Sequence, residues 1–137
     1  MMDFRDELLF LAYTIAQESQ GEPPNGQMGV GFVIMNRMRN ENLSLTDVVF
    51  KSMQFSCWNA DSPTRMRLDS MAPEVFREAY KYACIAYFGL GVDPSRGATH
   101  YLNEEVTRRL RGGSLPAWFD ETKVTVRLGN HTFLKLG

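Results

Sequence analysis

The chain has 137 residues, of which 44% are hydrophobic and 23% charged, and fifteen Lys and Arg against sixteen Asp and Glu leave a formal charge of −1. This composition excludes a disordered chain, a collagen-like repeat and a coiled coil, and the length predicts a single domain, residues 1–137, around one core. The neutral balance argues against a dedicated nucleic-acid binder, which carries a basic excess, and against recruitment to anionic lipid by charge alone.

The opening Met1-Met2-Asp3-Phe4-Arg5-Asp6-Glu7 is acidic, whereas a secretory signal opens basic and then runs apolar. The expectation is synthesis in the cytosol without a signal peptide. No apolar run reaches the roughly 20 residues that span a bilayer, so no stable membrane insertion is expected. Phe4, Leu8, Leu11, Ala12 and Ile15 recur at helical spacing and predict an amphipathic helix over 3–20, with Asp3 as N-cap and Gly21 as its stop.

Glu22-Pro23-Pro24-Asn25 is a breaker, because a residue before proline is pushed out of the helical region. A second helix is predicted from Gly26 to Arg39, capped by Asn25 and largely buried. Gly29 and Gly31 each weaken it by about 1 kcal/mol relative to Ala, which is tolerable where another helix or a ligand backs closely onto that face. Ser44-Leu45-Thr46-Asp47 predicts a capped short helix to about Ser52. Gln54 to Pro63 reads as a long loop. Pro73 opens a strong helix that Gly89 closes after Phe88, with Val75, Phe76, Ala79, Ala83 and Tyr87 on its apolar face.

Gly89 to Gly97 is a loop, Ala98 to Leu102 a short extended segment, and Glu104 to Arg111 one or two helical turns ended by Gly112-Gly113. Val124, Val126 and Leu128 alternate with Thr125 and Arg127, and Gly129-Asn130 joins them to Thr132-Phe133-Leu134, a hairpin signature. Helices first and a small antiparallel element last predict an α+β domain.

Several groups of residues have the chemistry of a site. Glu18 and Glu22 lie four positions apart around a helix stop. A carboxyl there is open to partial desolvation, which disfavours its charged form and suits a general acid; two solvated surface glutamates are the plainer alternative. Gln54, Phe55 and Ser56, followed by Cys57, Trp58 and Asn59, interleave amides with aromatics. Such a loop stacks on sugar rings and bonds their hydroxyls, or simply tucks Phe55 and Trp58 into the core. Thr99, His100, Tyr101 and Asn103 offer donors and acceptors on an extended segment, with Thr99, Tyr101 and Asn103 on one face and His100 and Leu102 on the other. The alternative is a structural strand with a satisfied histidine.

Metal chemistry has weak support. His100 and His131 stand far apart, and no His-Glu-x-x-His or paired Cys-x-x-Cys occurs. A zinc amidase built from His100, His131 and a carboxylate is the rival chemistry, set against a bland place for His131 beside the turn. Cys57 and Cys84 read as two reduced thiols. No nucleophile elbow and no phosphate loop is present. The cluster Arg108-Arg109-Leu110-Arg111 reads as a solvated face.

The order of these blocks is more specific than any one of them. Glu18-Ser19-Gln20-Gly21-Glu22-Pro23, Gly26-Gln27-Met28-Gly29-Val30 and Val33-Ile34-Met35-Asn36-Arg37 come first. Gln54-Phe55-Ser56, Asp93-Pro94 with Gly97-Ala98-Thr99-His100-Tyr101, and Val126 through Phe133 follow. Together they resemble the SleB-like cell wall hydrolases over nearly the whole chain. Gln17, Ser19-Gln20 and Leu102-Asn103-Glu104 depart from that family's usual pattern.

The resemblance implies a lysozyme-like helical core and a peptidoglycan lytic transglycosylase that cleaves the MurNAc–GlcNAc β-1,4 bond with Glu18 as its acid. It implies glycan-strand contacts from Glu22, Gln54, Phe55, Ser56, Thr99, His100, Tyr101 and Asn103, and no metal or organic cofactor. A hydrolytic muramidase would need a second carboxylate, for which Glu22 and Asp61 are the candidates. A non-catalytic wall-binding virion protein is the remaining alternative. A short chain without a signal suits a monomeric enzyme acting on the cell wall, as a phage endolysin or virion component.

Overall fold

The first helix ends where its glycine dictates, and the fold grows from that turn. In a computed structural model, residues 2–51 and 71–137 are described. Helix α1 spans Phe4–Ser19, and the Asp3 carboxylate caps it by accepting the N–H groups of Arg5 (2.9 Å) and Asp6 (3.0 Å). Gly21 then takes φ +87°, a left-handed value that reverses the chain at little cost only for glycine.

Helix α2 runs Pro24–Glu41 and corrects the predicted bounds at both ends. Pro24 sits in the first turn, where its missing N–H is one that no helix uses, so the helix starts before Gly26 and Asn25 lies inside it rather than capping it. It continues past Arg39 until Asn42 adopts a left-handed conformation (φ 54°, ψ 47°). Helix α3 is Leu45–Lys51, with Ser44 Oγ accepting the Asp47 N–H (3.2 Å). Helix α4 is Pro73–Phe88, closed by Gly89 at φ 65°.

Helix α1 packs on α4 and α2, and α2 on α3. Leu11, Ile15, Val30, Val33, Ile34, Leu45 and Val48 are fully buried between them. Burial of each such side chain contributes about 1.5–3 kcal/mol. The buried face of α4 is Ala79, Tyr82, Ala83 and Ala86, a narrower stripe than expected, with Phe76 and Tyr87 only half-buried. The Tyr87 hydroxyl donates to Glu7 (2.7 Å) and ties the end of α4 to the start of α1.

The α2 glycines sit where close packing requires them. A Cβ on Gly31 would stand 3.0 Å from Ile15 Cδ1 and 3.1 Å from Ala86 Cβ, where three helices meet. A Cβ on Gly29 would stand 2.8 Å from Phe133 Cζ. The helix and the C-terminal strand touch through that gap.

The sheet is antiparallel and has three strands, in the order β1-β3-β2: β1 His100–Leu102, β2 Val124–Leu128 and β3 His131–Leu134. The expected hairpin is therefore β2 and β3, and the segment read as merely extended adds β1 to its open edge. A bulge at Thr125 places Val124 opposite Leu134 but Val126 opposite Phe133, so the two valines face opposite sides despite their even spacing. Between β1 and β2 lies the short helix α5, Glu104–Leu110, none of whose residues is buried; Leu110 is 80% exposed, in keeping with a solvated face. Among the described residues no helix is long and apolar enough to cross a membrane.

Candidate active site

Glu18 occupies the last turn of α1, half-buried, and its carboxyl receives the hydroxyl of Tyr101 from β1. Pairing in the sheet places Tyr101 opposite Phe133, and Phe133 is locked against Gly29 of α2. The same packing that builds the core thus fixes where the Tyr101 ring stands. Its residue is only 5% exposed, so the hydroxyl has little freedom to leave its partner.

Glu22 lies just beyond the Gly21 reversal and reaches the other end of the site. Its Oε1 accepts the backbone N–H of Asn130 (2.8 Å) and its Oε2 accepts Asn130 Nδ2 (3.1 Å). The hairpin turn presses so closely on this loop that a Cβ on Gly129 would lie 2.5 Å from Glu22 Oε1 and 2.6 Å from Pro23 Cδ. With φ 58°, Gly129 is required both by its conformation and by that approach. The Glu22 carboxylate is therefore a staple between the α1–α2 turn and the β2–β3 turn.

His131 follows Asn130 and lies on the same sheet face as Tyr101. The two rings are 4.9 Å apart, and His131 meets Phe133 edge-on at 6.1 Å. Burial pushes the His131 imidazole below its usual range, with the Glu22 carboxylate pulling the other way. The sequence offers this residue as a metal ligand, as a bland neighbour of the turn, and within the Val126–Phe133 block. The pairing of β3 with β1, which sets Tyr101 opposite Phe133 two residues further on, brings His131 to Tyr101, and that pairing is invisible in a linear motif.

The remaining predicted residues divide. His100 faces the other side of the sheet, over a recess of about 240 Å³ lined by Arg37, Glu41 and Thr99, and its ring lies 5.2 Å from Trp118. Burial, then the Arg37 charge, hold its pKa down to about 4. Thr99 is buried, with its hydroxyl against His100 Nδ1 (2.9 Å) and accepting the Leu136 N–H (3.0 Å). Asn103 caps α5 by accepting the Val106 N–H (3.0 Å). Each of these three side chains is engaged locally, and no hydrogen bond joins any of them to Glu18 among the described residues. Gln54, Phe55, Ser56 and Asp61 lie outside the described residues.

With His100 and His131 on opposite faces of one sheet, the zinc site imagined between them has no geometry. Among the described residues no group of three or more His, Cys, Asp or Glu is placed to hold a metal ion. The block Asp93 to Gly97 has a scaffolding role. Asp93 accepts the N–H groups of Ser95 (2.8 Å) and Gly97 (3.0 Å), and buried Asn36 donates to Asp93 (3.0 Å) and to the Ala98 carbonyl (2.9 Å). This network sets the loop that delivers β1, and with it Tyr101.

The sequence profile of the cell wall hydrolase family matches residues 21–134, and the chain belongs to that family. Tyr101, Asn130 and His131 fall inside the matched stretch; Glu18 lies just before it. Among curated relatives, the chain is similar to the spore cortex-lytic enzymes of Halalkalibacterium halodurans (27% identical over 130 residues) and Bacillus subtilis (26% over 130 residues). Those matches cover 93% of this chain but 34% and 37% of the relatives, so the chain spans about a third of their length.

Two solved structures share the fold. One is the catalytic domain of the germination-specific lytic transglycosylase SleB from Bacillus anthracis, with a TM-score of 0.64 at 23% identity, covering 94% of this chain and 93% of that one. The other is the catalytic domain of the Bacillus cereus SleB protein, with a TM-score of 0.67 at 24% identity, covering 96% and 91%. The lysozyme-like helical core with a small antiparallel sheet is thus the fold of this chain.

Proposed function

We propose that the chain is a peptidoglycan glycosidase that cleaves the MurNAc–GlcNAc β-1,4 bond as a lytic transglycosylase, with Glu18 as its one acid–base group. The observation that carries this reading is the half-buried Glu18 carboxyl held by the Tyr101 hydroxyl at the mouth of a turn. Protonated Glu18 gives its proton to the oxygen linking MurNAc C1 to GlcNAc. That bond breaks, the GlcNAc hydroxyl leaves, and an oxocarbenium-like sugar remains. The Glu18 carboxylate then takes the proton of the MurNAc C6 hydroxyl as its oxygen closes on C1. The product is a 1,6-anhydro sugar, and no water is consumed. A phenol both donates and accepts, so Tyr101 stays bonded to Glu18 in either protonation state.

The engagement of Glu22 supports this route over hydrolysis by occupying one of the two candidate second carboxylates, the other, Asp61, lying outside the described residues. A hydrolytic glycosidase needs a second carboxylate beside the sugar ring, as base or nucleophile. Both Glu22 oxygens are committed to Asn130, a structural duty in the hairpin turn. Gln54, Phe55 and Ser56 are kept as sugar-binding residues on their sequence pattern. The family and the activities named for the relatives support peptidoglycan as substrate.

Digestion of purified murein sacculi tests the proposal, with mass spectrometry of the soluble fragments. Anhydro-MurNAc ends are expected. Reducing MurNAc ends would indicate a muramidase, free stem peptides an amidase, and saturable binding without release a wall-binding module; any of these overturns it.

A further inference from the structure

His131 is a buried titratable group that the proposed reaction does not use. It is only 7% exposed, and its Nδ1 is sealed from solvent without a hydrogen-bond partner among the described residues. A sealed ring nitrogen with no acceptor beside it is tolerable as a lone pair. As an N–H it would strand a donor, and as half of a cation it would strand a charged one. The proton of the neutral ring therefore belongs on Nε2.

The ring has few ways to relax. Phe133, edge-on to it, is wedged against Gly29 of α2. Tyr101, from β1, is its other ring contact, and the Tyr101 hydroxyl ends on Glu18. We infer that His131 is a positioning residue: as the neutral Nε2–H tautomer it holds the Tyr101 ring so that its hydroxyl meets Glu18, and its protonation in acid undoes that contact. The inference rests on the reading of Glu18 as the acid.

The groups around His131 show why a cation disturbs the site. Tyr101 faces it from β1, Leu128 stands opposite it on β2, and Glu22 approaches from the α1–α2 turn. Glu22 attracts a charged ring, yet both its oxygens are held by Asn130, so moving toward His131 loosens the hairpin turn. Activity that depended on Glu18 alone would rise to a plateau as pH falls. With His131 coupled to Tyr101, it falls again on the acid side.

The chain has two histidines, which makes the test simple. Nitrogen-15 NMR of the histidine-labelled protein, assigned with His100→Gln, is expected to show His131 as the Nε2–H tautomer with a midpoint below the ordinary imidazole value of about 6.5. An Nδ1–H tautomer, or a midpoint at or above that value, overturns the inference. The second arm is the pH profile of fragment release from sacculi, with each protein scaled to its own maximum. One pH unit below the His131 midpoint, wild type is expected to retain about a tenth of its maximum, as expected when one proton inactivates a site. His131→Phe, which keeps a ring and cannot titrate, is expected to remain on its plateau there at a reduced maximum. A His131→Phe protein that keeps the wild-type acid limb overturns the inference. Should that variant not fold, His131→Gln carries the same expectation. A Glu18→Gln protein that stays active removes Glu18 as the acid and leaves the NMR result standing, so the two failures are distinguishable.

Discussion

Tyr101 donates its hydroxyl hydrogen to a carboxylate eighty-three positions earlier in the chain, that of Glu18. The contact joins the end of the first helix to the edge strand of the sheet. It gives the candidate acid a fixed place, which neither residue provides alone. Removing only the oxygen isolates its role. Tyr101→Phe keeps the ring against His131 and Phe133, so the fold is expected to survive. Loss of a hydrogen bond to a charged, half-buried group is typically worth about 1–3 kcal/mol, which predicts a fall in kcat of roughly tenfold to a hundredfold with KM little changed. Steady-state kinetics on soluble glycan strands checks this, and an unchanged kcat would remove Tyr101 from the site.

The Glu22 staple is expected to act on stability before chemistry. Gly129→Ala places a methyl group within 2.6 Å of Glu22 Oε1 and Pro23 Cδ at a left-handed φ. A loss of about 2 kcal/mol or more is expected, combining backbone strain with the clash. Glu22→Ala leaves the Asn130 N–H to water and is expected to cost about 1–2 kcal/mol, less because Asn130 is exposed. Urea unfolding of both variants reads the difference, and equal stability of Gly129→Ala and wild type would contradict the close approach.

The α2 glycines make a sharper packing test. Ala is the better helix former by about 1 kcal/mol, so an unconstrained helix would gain from Gly29→Ala. With Phe133 Cζ at 2.8 Å from the new methyl, overpacking of about 1–3 kcal/mol is expected to prevail and give net destabilisation. A rise in Tm would show that Phe133 can retreat.

Stability is expected to fall on both sides of neutrality. His100, with a pKa held down to about 4, and His131, also lowered, are neutral in the folded chain at pH values where the unfolded chain is already protonated. Stability therefore drops as pH falls below the ordinary imidazole range toward 4. Glu104 adds to this slope: the Thr132 hydroxyl and the Arg127 guanidinium keep its pKa low, and that contribution disappears as it is protonated. Tyr82, raised chiefly by burial, and Tyr87, raised chiefly by its bond to Glu7, resist ionisation in the folded state and weaken the fold above about pH 10. Tm measured across pH for wild type and His100→Gln tests the acid side. A shallower slope in the variant is expected, and an identical slope would clear His100 of the effect.

The helices were legible because their signals are local. Asp3, Pro73 and Gly89 each act on the turn beside them, and each marks the end it was expected to mark. The start of α2 was misplaced because two prolines read first as breakers, although Pro24 fits a first turn. The hairpin was legible from alternation and its Gly-Asn turn. The third strand was legible only as an extended segment, since its place in the sheet comes from pairing with β3 thirty or more positions away.

The site was legible in the same measure. The linked motif blocks pointed to Glu18 and Tyr101, which meet. Strand alternation already set His100 apart from Tyr101 in the run from Thr99 to Asn103, and the structure keeps that split; what the run did not show is that the start of α5 takes Asn103 as its cap. For Glu22, a glycan contact or a candidate second carboxylate by its spacing, the sequence could not show that Asn130 engages both its oxygens.

The most direct measurement is the rate at which Glu18→Gln solubilises murein sacculi, alongside its unfolding midpoint. The substitution keeps the size of the side chain and an acceptor for Tyr101 while removing the transferable proton. A rate lower by about two to four decades at an unchanged midpoint is the predicted result. Clearance of sacculi at the wild-type rate by a folded Glu18→Gln protein would contradict the account.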